Sequence, residues 1–260
     1  MKLICLNAWG GKRLGPLLNF IKESAETTDI FCFQEVFNSS KKEISPNGRV
    51  LDLYDQISDA LPDFRGHFSA SESGYNFGDL STVTADVGWG LAVFVRWPIL
   101  TIRTESFLVH KTKNGGVENK FERPRILQRT ELKISSDEII NLFNFHGLLD
   151  GGAKTDTPAR DSQFSSVRKI IYQYKGRKIL CGDFNIRPDT KNIVLLGKSM
   201  IDLIKKYNIP ATRNRLYGGM KKYSDFISDY VFVSEDVNVE SFGTLDVEVS
   251  DHLPLILDFE

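Results

Sequence analysis

Several features that mark specialised proteins are scarce or absent in this sequence. Only three of its 260 residues are cysteines, and because Cys5, Cys32 and Cys181 lie far apart in apolar runs, they predict neither a zinc site nor a disulfide framework. We interpret them as small core residues. Lys and Arg number 33 against 34 Asp and Glu, so the chain lacks the broad positive field of a nonspecific nucleic-acid-binding protein.

The sequence also lacks the features that separate domains or direct a chain to another compartment. It contains no Pro-, Gly- or Ser-rich linker, low-complexity run or internal repeat, so we predict one domain over residues 1–260. The opening stretch "MKLICLNAW" is too short for a signal-peptide core, and no later run approaches a membrane span. We therefore expect a cytoplasmic protein without a membrane span, and nothing in the sequence indicates an obligate protein partner.

Short apolar runs alternate with longer amphipathic stretches along the whole chain. The short runs predict strands, and they are "LICL", "IFCF", "LAVFV", "IINLFNF", "KILC", "YVFV" and "LPLIL". The amphipathic stretches at 14–25, 50–61, 158–174 and 192–207 predict helices, and Thr157 before Pro158 is typical of a helix start. This mixture predicts a layered α/β or α+β architecture.

Polar side chains suited to chemistry cluster at the ends of the predicted strands. Four positions follow a strand and two precede one, and they are Asn7, Glu35, His146, Asp183 with Asn185, Asp229, and Asp251 with His252. If the strands of the second group run opposite to those of the first, all these side chains reach one edge of the molecule. The sequence then describes one site.

The residue types in this group favour a particular chemistry. Carboxylate and amide oxygens without thiolates suit Mg²⁺ or Mn²⁺ better than zinc. Neutral imidazoles and carboxylates beside such a cation can activate water for attack on a phosphate, while the cation neutralises phosphoryl charge. The predicted substrate is therefore a phosphate ester.

The order of the motifs carries a family resemblance. The set "LNAWG", "FQEV", "FHG", "GDFN", "SDYVFVS" and "SDHLPL", from residue 7 to residue 254, resembles the endonuclease/exonuclease/phosphatase superfamily, which includes DNase I-like phosphoesterases. The resemblance covers essentially the whole chain. It implies a four-layer αββα sandwich with two packed mixed β-sheets and dependence on Mg²⁺ or Mn²⁺.

The resemblance also implies roles for residues on both sides of the expected cation. Glu35 resembles the principal metal-binding carboxylate, with Asn7 beside it contacting metal or bound water. Asp251 is expected near the metal or its waters. His252 resembles the catalytic histidine, and Asp229 resembles the carboxylate that orients it.

Three further residues are assigned to the phosphate by the same resemblance. Asp183 resembles the aspartate that positions or deprotonates the nucleophile, and Asn185 resembles a donor to the phosphoryl oxygens. His146 resembles a second histidine that binds phosphate or assists the leaving group. Because coupled carboxylates and imidazoles titrate together, the residues alone do not assign the general base.

Cations near these motifs are candidate substrate-binding residues. Arg160 lies in the first turn after the His146 loop, where reaching a phosphate and stacking over the core are equally good interpretations. The stretch "TRNRLYGGMKKYSD" contains Arg213, Arg215, Lys221 and Lys222, and its position before Asp229 favours an anion-recognition loop over a merely solvated one. The stretch "KFERPRILQR", with Arg123, Arg125 and Arg129, is a weaker second candidate.

The leading functional hypothesis is hydrolysis of a phosphodiester in DNA, RNA or a nucleotide-like molecule. The alternative is a phosphatase or phosphodiesterase acting on a small phosphorylated metabolite or lipid headgroup, which the near-neutral charge favours. A binding module that has lost activity is disfavoured, because every expected ionisable residue is present. A second metal-binding carboxylate is left open between Glu72 and Asp86.

Overall fold

The structure is a computed structural model that describes residues 1–74, 86–111, 123–135, 138–150, 154–218 and 226–260. Within these ranges two mixed sheets of six strands each pack against one another, with helices on their outer faces. The predicted αββα sandwich is therefore confirmed. Lys221 and Lys222 of the predicted anion-recognition loop lie outside the described residues.

The first sheet has the strand order β11-β12-β1-β2-β4-β3. Its strands are β1 (Lys2–Asn7), β2 (Ile30–Asn38), β3 (Phe64–Ser73), β4 (Gly88–Arg96), β11 (Val239–Thr244) and β12 (Leu255–Phe259). The second sheet has the order β5-β6-β7-β8-β10-β9. Its strands are β5 (Leu100–His110), β6 (Arg125–Lys133), β7 (Ile139–His146), β8 (Arg177–Asp183), β9 (Ile201–Asp202) and β10 (Asp229–Val233).

The helices lie between these strands in the sequence. They are α1 (Leu14–Ala25), α2 (Leu53–Ala60), α3 (Pro158–Gln173), α4 (Lys191–Leu196) and α5 (Leu203–Lys206). Thr157 caps α3 as expected, because its side chain accepts a hydrogen bond from the backbone N–H of Arg160. Among the described residues, none of the helices combines the length and the apolar composition that crossing a membrane requires.

Alternation along the strands divides the core into two apolar layers. Leu3 and Cys5 of β1 pack between the sheets, whereas Ile4 and Leu6 face α1 and α2, as the two-residue period of a strand requires. Cys5, Cys32 and Cys181 are free and buried, which confirms their interpretation as core residues.

Strand direction brings the polar strand ends to one edge. β1 and β2 are parallel, as are β7 and β8. β12 runs antiparallel to β1, and β10 runs antiparallel to β8. The ends of β1, β7 and β8 therefore meet the start of β10 and the residues that precede β12. Glu35, which was predicted to follow its strand, instead lies inside β2, because β2 continues to Asn38.

The predicted helix over 192–207 is wrong. α4 ends at Leu196, and Ile201 and Asp202 instead form β9, which pairs with Phe232 and Val233 of β10. Asp202 then caps α5 by accepting a hydrogen bond from the backbone N–H of Lys205. A long-range pairing at the edge of the sheet thus overrides the local helical pattern.

Candidate active site

The edge where the sheets meet gathers the candidate residues from distant parts of the chain. His146 and Asp229 both lie in register with Asp183 in the second sheet. Asn7 and Glu35 come from the first sheet. The loop before β12 joins them, because Ser250 Oγ donates to the backbone carbonyl of Asn7 over 2.7 Å.

A buried histidine–carboxylate pair lies at the centre of this edge. His252 Nδ1 is 2.7 Å from Asp229 Oδ1, while Asp229 Oδ2 accepts hydrogen bonds from Thr212 Oγ1 at 2.7 Å and Ser228 Oγ at 3.0 Å. Fixing one ring nitrogen in this way sets the tautomer and aims the other. Nε2 of His252 lies 3.6 Å from Asp183 Oδ2.

The pKa of His252 reflects opposing influences. Burial and the charge of Arg213 lower it, but the carboxylates of Asp229, Asp183 and Asp251 outweigh them and raise the pKa above the ordinary imidazole value. The pair therefore holds a proton more readily than a free imidazole does.

Asp183 is surrounded by donors and cations. Its Oδ2 accepts from Asn7 Nδ2 at 3.1 Å and lies 3.5 Å from Arg213 Nη2, while its Oδ1 accepts from the backbone N–H of Asn185 at 2.9 Å. Burial raises the pKa of this carboxyl, but His252, Arg213 and His146 outweigh burial and hold it well below the ordinary value. Asp183 is therefore ionised.

The backbone around "GDFN" turns sharply to present these groups. Asn185 has a φ of 52°, a left-handed conformation that Asn tolerates better than most residues. Its side-chain amide donates to the carbonyl of Gly147 over 3.2 Å. Gly182 has a φ of 143°, and a Cβ there would lie 1.8 Å from the carbonyl oxygen of Phe145, so the close pairing of β8 with β7 requires glycine.

Glu35 and Asn7 form the first-sheet side of the site. Asn7 Nδ2 donates to Glu35 Oε1 over 3.3 Å as well as to Asp183. Burial raises the pKa of Glu35, but His146, Arg49 and His252 outweigh it and lower the pKa below the ordinary value. Among the described residues, Oε2 of Glu35 makes no hydrogen bond, and the side chain is partly exposed.

Arg213 lies inside the site. It occupies a short antiparallel bridge with His252, and its guanidinium donates to Asp251 Oδ2 at 3.2 Å and to Ser228 Oγ at 3.0 Å. Burial raises the pKa of Asp251, although His252 and Arg213 act in the opposite direction. The predicted substrate-binding cation thus holds the site carboxylates together.

The other two predicted substrate-binding arginines have different surroundings. Arg160 is fully buried, and it donates through Nε to the carbonyl of Leu148 and through Nη1 to that of Thr155. These contacts favour the structural interpretation of Arg160 over phosphate binding, because its guanidinium holds the loop between β7 and α3. Arg215 is exposed and forms an ion pair with Glu248.

Neither candidate for a second metal-binding carboxylate joins the cluster by a described contact. Glu72 pairs with Arg123 at 2.7 Å, and Asp86 lies 3.5 Å from Lys41. Arg123 of the weaker cationic stretch is accordingly engaged by a carboxylate. Arg129 of the same stretch bonds Glu105, Glu131 and Asn141.

Two aromatic rings carry cations beside the site, and sequence reasoning missed that of Tyr217. The ring of Tyr217 has Arg213 at 4.2 Å and Lys154 at 4.9 Å from its centroid. Trp89 has Arg125 at 4.8 Å and the His146 ring at 5.5 Å. The "KFERPRILQR" stretch made Arg125 a weak candidate for substrate binding, whereas nothing in the sequence indicated such a role for Lys154.

Burial and the charge of Arg125 together depress the pKa of His146. Burial lowers the pKa of His146, and Arg125 lowers it further, to about 4, against the smaller opposing effects of Asp183 and Glu35. His146 is therefore neutral at pH 7, so it can exchange hydrogen bonds without carrying charge.

The depressed pKa of His146 predicts loss of stability in mild acid. Between pH 6.5 and 4 the unfolded chain protonates this imidazole and the folded chain does not, so stability falls as pH falls. Relative to His146→Gln, the metal-free wild-type protein should lose about 2 kcal/mol of unfolding free energy between pH 7 and pH 5. Urea denaturation of both proteins at the two pH values measures this difference, and identical pH dependence would contradict the buried, neutral state.

The donor set of the site fits a hard divalent cation. Asp183, Asp229 and His252 offer ligand atoms within 4.8 Å of one another. Asp251 lies 3.7 Å from His252, and Asn7 links Glu35 to Asp183, so two further carboxylates adjoin this group. The free cysteines lie in apolar core and not in this donor set. Oxygen-rich, acidic sites of this kind suit Mg²⁺ or Mn²⁺.

Comparison with known families agrees with this geometry. The model of the Endonuclease/Exonuclease/phosphatase family matches residues 4–252. The chain belongs to this family, whose members are phosphoesterase hydrolases. No curated protein sequence matches the chain significantly.

Solved structures with the same fold span bacterial and animal proteins. The mannosyl-6-phosphatase Bt3783 of Bacteroides thetaiotaomicron is similar with a TM-score of 0.74 and 19% identity, over 100% of this chain and 99% of that one. The human Nocturnin catalytic domain with bound sulfate gives 0.66 and 18%, over 100% and 94% of the chains. Caenorhabditis elegans TDP2 gives 0.63 and 18%, over 99% and 96%. At these identities the likeness shows the fold alone.

Proposed function

We propose that this chain hydrolyses a phosphate ester by attack of water, with a divalent cation, Mg²⁺ or Mn²⁺, as cofactor. One observation carries the proposal: His252 is held by Asp229 at 2.7 Å and presents its other ring nitrogen to Asp183 at 3.6 Å. A fixed imidazole beside an ionised carboxylate can orient a water molecule and accept its proton. Which of the two groups takes the proton stays open, because the pair titrates together.

The surrounding residues complete this chemistry. Glu35 and Asp251, with Asn7 beside them, would hold the cation, which when bound neutralises charge on the phosphoryl oxygens. Asn7 bridges Glu35 and Asp183 through hydrogen bonds of 3.3 and 3.1 Å, and so keeps the cation-binding side and the water-binding side together. Asn185 uses one amide hydrogen for Gly147 and retains one for a phosphoryl oxygen.

The arrangement of the cations favours a compact substrate with one phosphate. Lys154, Arg125 and Arg213 are each about nine-tenths buried or more, and two of them flank the ring of Tyr217. Arg125 acts on the charge of His146, and Arg213 and Lys154 act on that of Asp183, so these buried cations suit one phosphate beside the two side chains. A polynucleotide needs exposed cations along its backbone. The likeness in fold to a mannosyl-6-phosphatase supports the same choice, so we favour a small phosphorylated metabolite.

Hydrolysis of a phosphodiester in DNA, RNA or a nucleotide is the second candidate. Arg215 favours it, because this exposed side chain lies in the same loop as Arg213 and its ion pair with Glu248 is open to solvent. Exposed ion pairs are weak, so Arg215 can exchange Glu248 for a backbone phosphate.

A substrate panel tests both candidates. Purified protein with Mg²⁺ or Mn²⁺ is incubated with sugar phosphates, nucleoside monophosphates, phosphorylated headgroups, and single- and double-stranded oligonucleotides. Release of phosphate from small compounds, without oligonucleotide cleavage, is the expected result. Oligonucleotide cleavage that falls steeply with salt and weakens in Arg215→Ala would favour the second candidate, and absence of any hydrolysis would contradict the proposal.

Replacing Glu35 by Gln should weaken cation binding. The amide keeps the size of the side chain but removes the negative charge, so we expect the Mg²⁺ activation midpoint to rise at least about tenfold, since even indirect partners of metal ligands contribute 10–100-fold. Calorimetric titration with Mn²⁺ provides a second measurement. Glu43→Gln, at an exposed position, is the control, and a midpoint equal to the control would remove Glu35 from the cation site.

A further inference from the structure

A β-bulge aims Glu35 at the active site. In the pairing of β2 with β4, Phe33 lies opposite Ala92 and Val36 lies opposite Gly90. Two residues of β2, Gln34 and Glu35, therefore face one residue of β4. The second of the two bulged residues, Glu35, has a φ of 54°, a left-handed conformation that is uncommon for side chains of its kind. Bulges of this type redirect a side chain and interrupt the hydrogen bonds of the ladder.

A side chain from the opposite sheet fills the interruption. Asn144 of β7 donates through Nδ2 to the backbone carbonyls of Phe33 at 3.0 Å and Ala92 at 3.3 Å. These are carbonyls of the two strands that the bulge separates. Asn144 Oδ1 accepts from Gln34 Nε2 at 2.7 Å, and Gln34 is the other bulged residue. Both side chains are completely buried.

The same contacts tie the two sheets together next to the active site. Asn144 lies two residues before His146 on β7, so both side chains are on one face of the second sheet. Gln34 directly precedes Glu35 on β2 of the first sheet. The bond between Asn144 and Gln34 therefore links the strand that carries Glu35 to the strand that carries His146.

We propose that Asn144 is a positioning residue for Glu35, acting through the bulge and not on the substrate. The inference rests on the proposed role of Glu35 in cation binding. Buried carbonyls require hydrogen-bond donors, and Asn144 supplies one to each of these two. Without these bonds the bulge loses the partners that hold Glu35 in its left-handed conformation.

The test compares two buried asparagines of one strand. Asn144→Leu removes the bonds to the bulge, whereas Asn141→Leu removes an amide that bonds Arg129 and the carbonyl of Lys175, away from the site. Both changes should lower stability. Calorimetric titration with Mn²⁺, without substrate, should show about tenfold weaker binding for Asn144→Leu only. Equal affinities in the two variants would overturn the inference.

Two additional variants test the positioning role even if Asn144→Leu does not fold. Gln34→Met removes the bond to Asn144 Oδ1 and a longer one, of 3.4 Å, to Cys5 Sγ, but it leaves Asn144 and its bonds to the two carbonyls in place. It should weaken Mn²⁺ binding in the same direction by a smaller factor, even where Asn144→Leu fails to fold. Unchanged affinity in folded Gln34→Met would then overturn the inference. Glu35→Gln separates the proposed cation-binding role of Glu35 from the proposed positioning role of Asn144. If Glu35→Gln binds Mn²⁺ more weakly but Asn144→Leu binds it normally, only the positioning role is overturned. If Glu35→Gln itself binds Mn²⁺ normally, the cation-binding role is overturned as well.

Discussion

Asp183→Asn should lower kcat by about 10³-fold, within the usual range for loss of a positioned acid–base group. The carboxylate accepts hydrogen bonds from Asn7 and from the backbone N–H of Asn185, and it lies within 4 Å of both His252 and His146. An amide keeps the shape but removes the charge that attracts a water proton. Turnover at saturating substrate and cation measures the effect, and circular dichroism reports the fold.

The control for this change lies in the loop that follows Asp183. Asp189 is exposed and pairs with Arg187 at 3.2 Å, so Asp189→Asn removes the same chemical group without touching the site. Its kcat should equal that of the wild-type protein. Equal kcat in Asp183→Asn and in this control would remove Asp183 from the chemical step.

His252→Gln is the second change for which we expect a very large effect. Gln can still bond Asp229, but it has no basic nitrogen, so kcat should fall by about 10²–10⁴-fold. His67→Gln is the control, because His67 lies on β3, is half-buried as a residue and makes no described bond to the site. Retained turnover in His252→Gln would exclude this imidazole as a base.

Combining the two changes tests whether they act in one step. If His252 and Asp183 handle the same water molecule, the double variant should be scarcely slower than the slower single variant, because groups that work as a unit are not additive. Losses that multiply would indicate separate roles. They would place the two side chains at different stages of the reaction.

Local patterns predicted which residues stand at strand ends. Asn7, Asp183 and Asp229 each end or begin a strand as the apolar runs indicated, because alternation and turn residues are properties of neighbouring positions. The sequence did not give the direction of the strands, so one shared edge could be predicted only on the assumption that the two groups run in opposite directions. The parallel and antiparallel pairings in the structure establish those directions.

Cations were predicted less well, because a charged side chain has no periodic signal. Arg160 and Arg213 both appeared as candidates, yet one bonds loop carbonyls and the other bonds site carboxylates. Lys154 had no motif around it, and the ring of Tyr217 places it beside Arg213. The partner of a long cationic side chain depends on groups far away in the sequence.

The sequence by itself determined the strand and helix segments around the site, the ordered motifs of the family and the oxygen-rich character of the donor set. These depend on residue type and on spacing within a few positions. Tertiary structure alone decided that 201–202 forms an edge strand, that Arg213 faces inward, and that Asn144 completes the bulge at Glu35. Gln34 and Asn144 are 110 residues apart, so their contact exists only once the two sheets have packed.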